Sequence, residues 1–235
     1  MITVYPYEKL GHADHGWLDE RHHFSFARYW NPDRVEFGAL RVVNDDRIEA
    51  GKGFGAHPHD NMEIITYVRK GAITHRDSMN NEGRTAAGDV QVMSAGKGVF
   101  HSEYNSEPED TTLYQIWIEP NQRDVTPRWD QREFPKEPVK DSLPVLVSGQ
   151  PEHNDTEALV IHQDAAIYGG TLAKGTRIAQ GIKHQAYVLV SVGKITLNGQ
   201  RMKQGDGAEV VHEKTLQMTA DTDAEVLVID VPAIH

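Results

Sequence analysis

Residues 53–59 read Gly-Phe-Gly-Ala-His-Pro-His, and residues 99–105 read Val-Phe-His-Ser-Glu-Tyr-Asn. Each stretch holds two metal-type ligands at positions i and i+2: His57 with His59, and His101 with Glu103. Side chains alternate faces along a β-strand, so i and i+2 point the same way. If both stretches are strands of one barrel, three imidazoles and a carboxylate converge on one interior point. No other part of the chain concentrates ligands in this way. Two such pairs, each on a predicted strand, form a specific signal for a metal site.

Outward from these pairs, the chain reads as strands almost throughout. GALRVVND runs from residue 38 to a predicted turn at Asp45-Asp46. EIITYVRKG is rich in β-branched residues, TLYQIWIEP stops at Pro120, and Asn198-Gly199 is a strong hairpin signal. A 3.6-residue apolar period over three turns is almost nowhere present. The expected class is all-β. Residues 121–143 hold three prolines and many charges, a linker composition with a short helical turn expected around Trp129–Arg132. The expected division is residues 1–122, a linker at 123–143, and residues 144–235.

The two halves share a repeat. Tyr67-Val68 and Gly71-Ala72-Ile73-Thr74 match Tyr187-Val188 and Gly193-Lys194-Ile195-Thr196, and Gly88-Asp89 matches Gly205-Asp206. Carrying the Gly71-to-Gly193 offset back places His57 and His59 near Ala179 and Gly181. The second ligand pair falls near Met218. The second barrel is therefore expected to hold no metal.

Composition bounds the function. The net charge of −11 argues against nucleic acid and anionic membrane surfaces. The absence of cysteine excludes disulfides, Cys-zinc sites, iron–sulfur clusters and thiol nucleophiles. No secretory signal and no membrane-length apolar run is visible, so a cytoplasmic location is expected. No long apolar surface element stands out, so a monomer is expected.

Three neutral imidazoles and a carboxylate suit one divalent first-row metal: iron, nickel, manganese, cobalt, copper or zinc. With octahedral geometry two positions stay open for substrate and dioxygen. Glu63 offers three readings: fifth ligand, partner orienting an imidazole, or plain strand residue. His75 and Asp77 read as a solvated hairpin face. His12, His15, His22 and His23 read as surface or hydrogen-bonded histidines, and Phe24, Phe26 and Trp30 as core.

At these residues the chain resembles the pirin family of the cupin superfamily. The first cupin motif is matched by Gly51, His57, His59, Glu63 and Gly71, the second by Gly88, Ser94-Ala95-Gly96, His101 and Asn105. The narrower pirin pattern is matched by HHFSFARYWNPD at 22–33, LRVVNDDRIEAGKGFGAHPHDNMEI at 40–64 and GDVQVMSAGKGVFHSEYN at 88–105. Ser94 stands where many cupins have proline, and His101 lies two residues later than the general pattern; both features belong to pirins. The resemblance implies a bicupin, two antiparallel β-barrels of the double-stranded β-helix (jelly-roll) type, with iron held by His57, His59, His101 and Glu103. Glu63 is not a ligand in that pattern. The resemblance also implies a dioxygenase that opens the central ring of a flavonol such as quercetin and releases carbon monoxide. Glu103 is the candidate base for the flavonol hydroxyl. A different reading within the family is a redox-sensing regulator acting through a protein partner. A third, a metal-dependent isomerase or hydrolase, follows from the breadth of cupin chemistry.

Overall fold

A computed structural model describes residues 1–234, leaving His235 outside the described residues. The strands of the first half are β1 (Ile2–Tyr5), β2 (Gly11–Asp14), β3 (Leu18–His22), β4 (Leu40–Ile48), β5 (Gly53–His59), β6 (Glu63–Lys70), β7 (Ala72–Asp77), β8 (Glu82–Ala86), β9 (Val90–Ser94), β10 (Val99–Tyr104), β11 (Thr111–Ile118) and β12 (Arg128–Arg132). Those of the second are β13 (Val145–Ser148), β14 (Leu159–Val160), β15 (Ala166–Leu172), β16 (Arg177–Gly181), β17 (Gln185–Val192), β18 (Lys194–Leu197), β19 (Gln200–Lys203), β20 (Gly207–Val210), β21 (Thr215–Ala220) and β22 (Ala224–Val231). Among the described residues the helical content is two short 3-10 turns, Tyr7–Lys9 and Pro151–His153. The all-β expectation holds.

Each half pairs a seven-stranded sheet with a four-stranded one. The first half has the orders β12-β9-β6-β11-β4-β3-β2 and β5-β10-β7-β8; the second has β1-β20-β17-β22-β15-β13-β14 and β16-β21-β18-β19. Among the described residues no hydrogen-bond ladder joins the two sheets of a half, so neither half is a closed barrel. Side chains packed between the facing sheets take the place of that closure.

Strand parity sorts residues into layers. On β6 and β11, Ile65, Tyr67, Tyr114 and Ile116 face the other half. There they meet Ile167, Tyr187, Leu189, Leu227 and Ile229 in one continuous core. The seven-stranded sheets therefore stack back to back, with the four-stranded sheets outside. Burying each Ile, Leu or Val here stabilises by about 1.5–3 kcal/mol, which favours one cooperative body over two loosely tethered halves.

Two elements depart from the expected division. Strand β1 pairs with β20, in register Ile2↔Val210 to Tyr5↔Gly207, and so belongs to the second half's sheet. An exposed edge of β20 would leave backbone donors and acceptors unpaired, and β1 covers them. The segment expected as a linker with a helical turn instead forms β12, which pairs with the edge of β9 from Arg128↔Ser94 to Arg132↔Val90. Its three prolines, Pro127, Pro135 and Pro138, lie outside the strand, where no ladder hydrogen bond is needed.

The interior of the second half is mostly apolar, with Gln180 and Asp230 among its buried polar residues. Ala186, Val188, Val190, Val226 and Val228 pack against Ile195, Leu197, Leu216 and Met218. The repeat offset is out by one residue on β16, where Ala179 and Gly181 face solvent and Ile178 and Gln180 face inward. The expected lack of histidine there stands.

Candidate metal centre

The interior of the first half is different. Its seven-stranded sheet carries a polar row across five strands: His22↔Asn44, Asn44↔Gln115, Gln115↔Thr66 and Thr66↔Gln91 are cross-strand partners. Apolar clusters flank the row on both sides: Leu18, Ile48, Val68, Ile73 and Leu113 on one, and Ile64, Met93, Ala95 and Val99 on the other. The polar row thus lies in the middle of the sandwich, beneath the histidine strands.

Strands β5 and β10 pair antiparallel, His101 opposite His57 and Val99 opposite His59. The register shifts between His101 and Glu103, where β5 carries one extra residue. Gly53 makes this pairing close. A Cβ there would stand 2.3 Å from the Glu103 carbonyl oxygen and 2.5 Å from Tyr104 Cα. Any larger residue would push β5 off β10.

The structure brings His57, His59 and His101 together, with ligand atoms within 4.8 Å of one another. His57 Nδ1 lies 2.7 Å from the Gly55 carbonyl. That contact makes Nδ1 the protonated nitrogen, since a carbonyl only accepts, and leaves the Nε2 lone pair free. His57 Nε2 and His101 Nε2 are 3.0 Å apart. Two nitrogens about 2.1 Å from one ion, at a right angle, are about 3.0 Å apart. Burial first, then the neighbouring imidazoles, lowers His59 to about 4 and His101 to about 3. Both are neutral at pH 7, the form that ligates. By donor chemistry and spacing these residues fit a divalent transition metal.

Glu103 is buried on the same inward face as His101. Gln91 Nε2 (2.6 Å) and Thr66 Oγ1 (3.2 Å) donate to its Oε1, and Gln115 Nε2 (2.7 Å) donates to Oε2. Three donors from the polar row match a carboxylate and fix its orientation. Its ligand atom groups within 4.8 Å with those of His101 and His75.

His75 is not on a solvated face. It is fully buried, stacked at 4.8 Å and 8° on Trp129 of β12. Its Nε2–H donates to Asp77 Oδ2 at 3.0 Å, and Asp77 also accepts from Met79 N, Asn81 N and Asn81 Nδ2. β12 covers the hairpin that would otherwise be exposed, which is why local sequence misplaced this pair.

The three histidines lie in the wall of a cavity of about 220 Å³ that is also lined by Phe26, Phe54, Ile64, Trp117, Glu20, Asn44, Asp46, Glu103 and Gln115. Sequence reading missed Glu20, Asn44, Asp46 and Gln115. The one available signal was strand parity from Ile48 backwards, but Asp45-Asp46 reads locally as a turn. β4 instead runs through to Ile48, because Asp45 pairs with Arg69 on one face while Asp46 enters the cavity on the other. Of the expected core aromatics, Phe24 is core, Phe26 lines the cavity and Trp30 is 68 % exposed. His12 and His15 meet Asp19 and Glu20, while His22 and His23 are buried against Asn44 and Tyr187.

Glu63 sits one residue out of phase with Ile64 and Thr66, so it faces away from the cavity. Ser94 Oγ donates to it at 2.7 Å, and burial pushes its carboxyl up from 4.5 to about 7. Between these values the folded chain holds a proton that the unfolded chain has released. The stability contributed is therefore full below about pH 4.5 and is lost as pH rises through about 7. Glu63→Gln, neutral at every pH, is expected to remove this slope. Urea titrations should show the variant gaining on the wild type by on the order of 3 kcal/mol from pH 4.5 to pH 8. A constant difference would mean that Glu63 is ionised in the fold.

Comparison with known proteins agrees with this architecture. A family model described as Pirin matches residues 4–118, and one described as Quercetinase C-terminal cupin domain matches residues 145–231. A pirin-like protein of Caulobacter vibrioides is 49% identical over 98% of this chain and 99% of its own length. A protein of Escherichia coli named quercetin 2,3-dioxygenase is 44% identical over the full length of both chains. The crystal structure of the E. coli bacterial pirin YhhW in complex with nickel(II) superposes with a TM-score of 0.90, at 42% identity over all of both chains. No helix among the described residues is long and apolar enough to cross a membrane. With relatives this similar over its whole length, and with a bicupin arrangement of two stacked halves, the chain belongs to the pirin family.

Proposed function

We propose that this chain is a metal-dependent dioxygenase that opens the central ring of a flavonol such as quercetin, with iron as the expected metal. The observation that carries the reading is the convergence of three imidazoles on the wall of an aromatic-lined cavity. The name of the E. coli relative and the nickel(II) complex of YhhW support it.

In this reading His57, His59, His101 and Glu103 hold the metal. A metal there supplies Lewis-acid stabilisation of a deprotonated substrate oxygen and redox access to dioxygen. Phe26, Phe54, Ile64 and Trp117 hold the flat ring system and exclude water. Glu103 takes the proton of the flavonol hydroxyl. Gln91 and Thr66 occupy Oε1 and Gln115 occupies one site of Oε2, so one lone pair remains on Oε2; it would serve the metal or the proton in turn, and Glu103 would take the proton on shifting off the metal.

The test is anaerobic loading with ferrous iron, then a quercetin assay in air that follows loss of the flavonol band and release of carbon monoxide. Iron-dependent turnover is expected. Glu103→Gln is expected to cut turnover at least ~100-fold, the scale of a lost general base. It should retain metal at reduced affinity, because the new amide faces the donors of Gln91 and Gln115. Unchanged turnover in that variant would remove the base role. Stoichiometric iron without turnover would replace the enzyme reading with a redox sensor that works through a protein partner.

A further inference from the structure

The histidines occupy only one wall of the cavity. The opposite wall, on the seven-stranded sheet, carries a carboxyl pair outside the proposed ligand set. Glu20 on β3 and Asp46 on β4 are direct cross-strand partners, so their side chains stand side by side on the inward face. Both line the cavity. Both are buried, at 6 % and 1 % exposure. Asp46 Oδ1 has no hydrogen-bond partner among the described residues. Glu20 is approached from outside by His15, whose Nε2 stands 3.5 Å from Oε2.

Two buried carboxyls side by side are costly unless one carries a proton or a ligand satisfies them. Burial raises Asp46 well above its usual range, and Glu20, Asp45 and Glu103 add to this; burial also raises Glu20. One neutral and one charged carboxyl offer a donor beside an acceptor. A hydroxyl is the simplest group that satisfies both, since it accepts from the first and donates to the second. The apolar part of the lining is Phe26, Phe54, Ile64 and Trp117. Its other polar residues are the three histidines, Glu103, Asn44, which meets His22, and Gln115, which donates to Glu103. A second anion near Glu20, Asp46 and Glu103 would be repelled, so acidic substituents are disfavoured.

We propose that Glu20 and Asp46 form a second anchor of the cavity, which selects aromatic substrates bearing a free hydroxyl directed away from the metal. The proposal rests on reading the cavity as a site for an aromatic substrate. It makes the pair specificity-determining, and it requires no bond to form or break there.

The test compares 2-naphthol with 2-methoxynaphthalene, which differ by one methyl on the oxygen. Binding to the full-length chain is measured by isothermal titration, with and without bound nickel, so that preference due to the metal is separated from preference due to the wall. The metal-free wild type is expected to bind the naphthol at least ~10-fold more tightly, the scale of a hydrogen bond to a charged group. Asp46→Leu is expected to bring the ratio near one. Glu20→Gln, which keeps shape and is the deciding variant should Asp46→Leu not fold, is expected to lower it at least ~3-fold. Absence of preference in the wild type, or an unchanged ratio in the variants, overturns the proposal. Hydroxyl preference without flavonol turnover would remove the dioxygenase reading and keep the anchor. Turnover with an unchanged ratio would do the reverse.

Discussion

Replacing His101 by alanine is expected to abolish stoichiometric metal binding and, with it, iron-dependent turnover. His101 is the geometric centre of the site: its ring centroid lies 4.5 Å from His57, 4.9 Å from His59 and 5.4 Å from His75. It belongs to both groups of candidate ligand atoms, the triad and the set that includes Glu103. Loss of even an outer partner of a ligand costs about 10–100-fold in metal affinity, so loss of this imidazole should exceed that. The fold should survive, because β10 is paired on both sides, to β5 and to β7, through its backbone. Metal content after dialysis gives the first readout. The second is thermal unfolding: added metal should raise the midpoint of the wild type by mass action and leave His101→Ala unmoved. A His101→Ala chain that keeps one equivalent of metal would show that the centre lies elsewhere. His12→Ala, at an exposed histidine, is the control.

The second large effect concerns stability. Arg34→Met is expected to destabilise the chain by about 3–5 kcal/mol, the usual scale for breaking a buried ion pair. Arg34 is 7 % exposed at the seam between the halves. Its Nε and Nη2 donate to the His23 carbonyl at 3.2 and 3.0 Å, Nη2 donates to Tyr187 Oη at 3.0 Å, and Nη1 pairs with Glu209 of β20. The guanidinium carbon also lies 3.6 Å from the centroid of Tyr5 and 4.5 Å from that of Phe24. Methionine fills the space but leaves Glu209 Oε1 and the His23 carbonyl without the Arg34 donors, with Tyr5 Oη still donating to Glu209 Oε2. Arg34→Lys should recover little, since an ammonium cannot span the fork of partners or stack in the same way. A fall of about 10 °C in the unfolding midpoint is expected for a chain of this size. A change below about 1 kcal/mol would mean that the cluster is solvated in the native state.

Much of this was legible without coordinates. The i, i+2 spacing of His57 with His59 and of His101 with Glu103 carries strand parity directly. Parity alone is enough to turn both pairs to the same side of their strands. The near absence of a helical period settled the fold class, and the resemblance to pirins named the architecture. The same parity, applied to Glu63, would have excluded it as a ligand, since it alternates with Ile64 and Thr66.

Whatever depended on what lies across a gap was not legible. Asp45-Asp46 has the composition of a turn, and only the Arg69 partner on one face and the cavity on the other keep β4 extended. His75 and Asp77 are polar and hairpin-borne, yet β12 arrives from a proline-rich segment and buries them. Ile2–Tyr5 reads as the start of the first half, but the open edge of β20, some 200 residues on, claims it. Periodicity records which face of a strand a residue occupies. Which wall that face meets, and hence that Glu20 and Asp46 look across a cavity at three histidines, is decided only when the sheets are stacked.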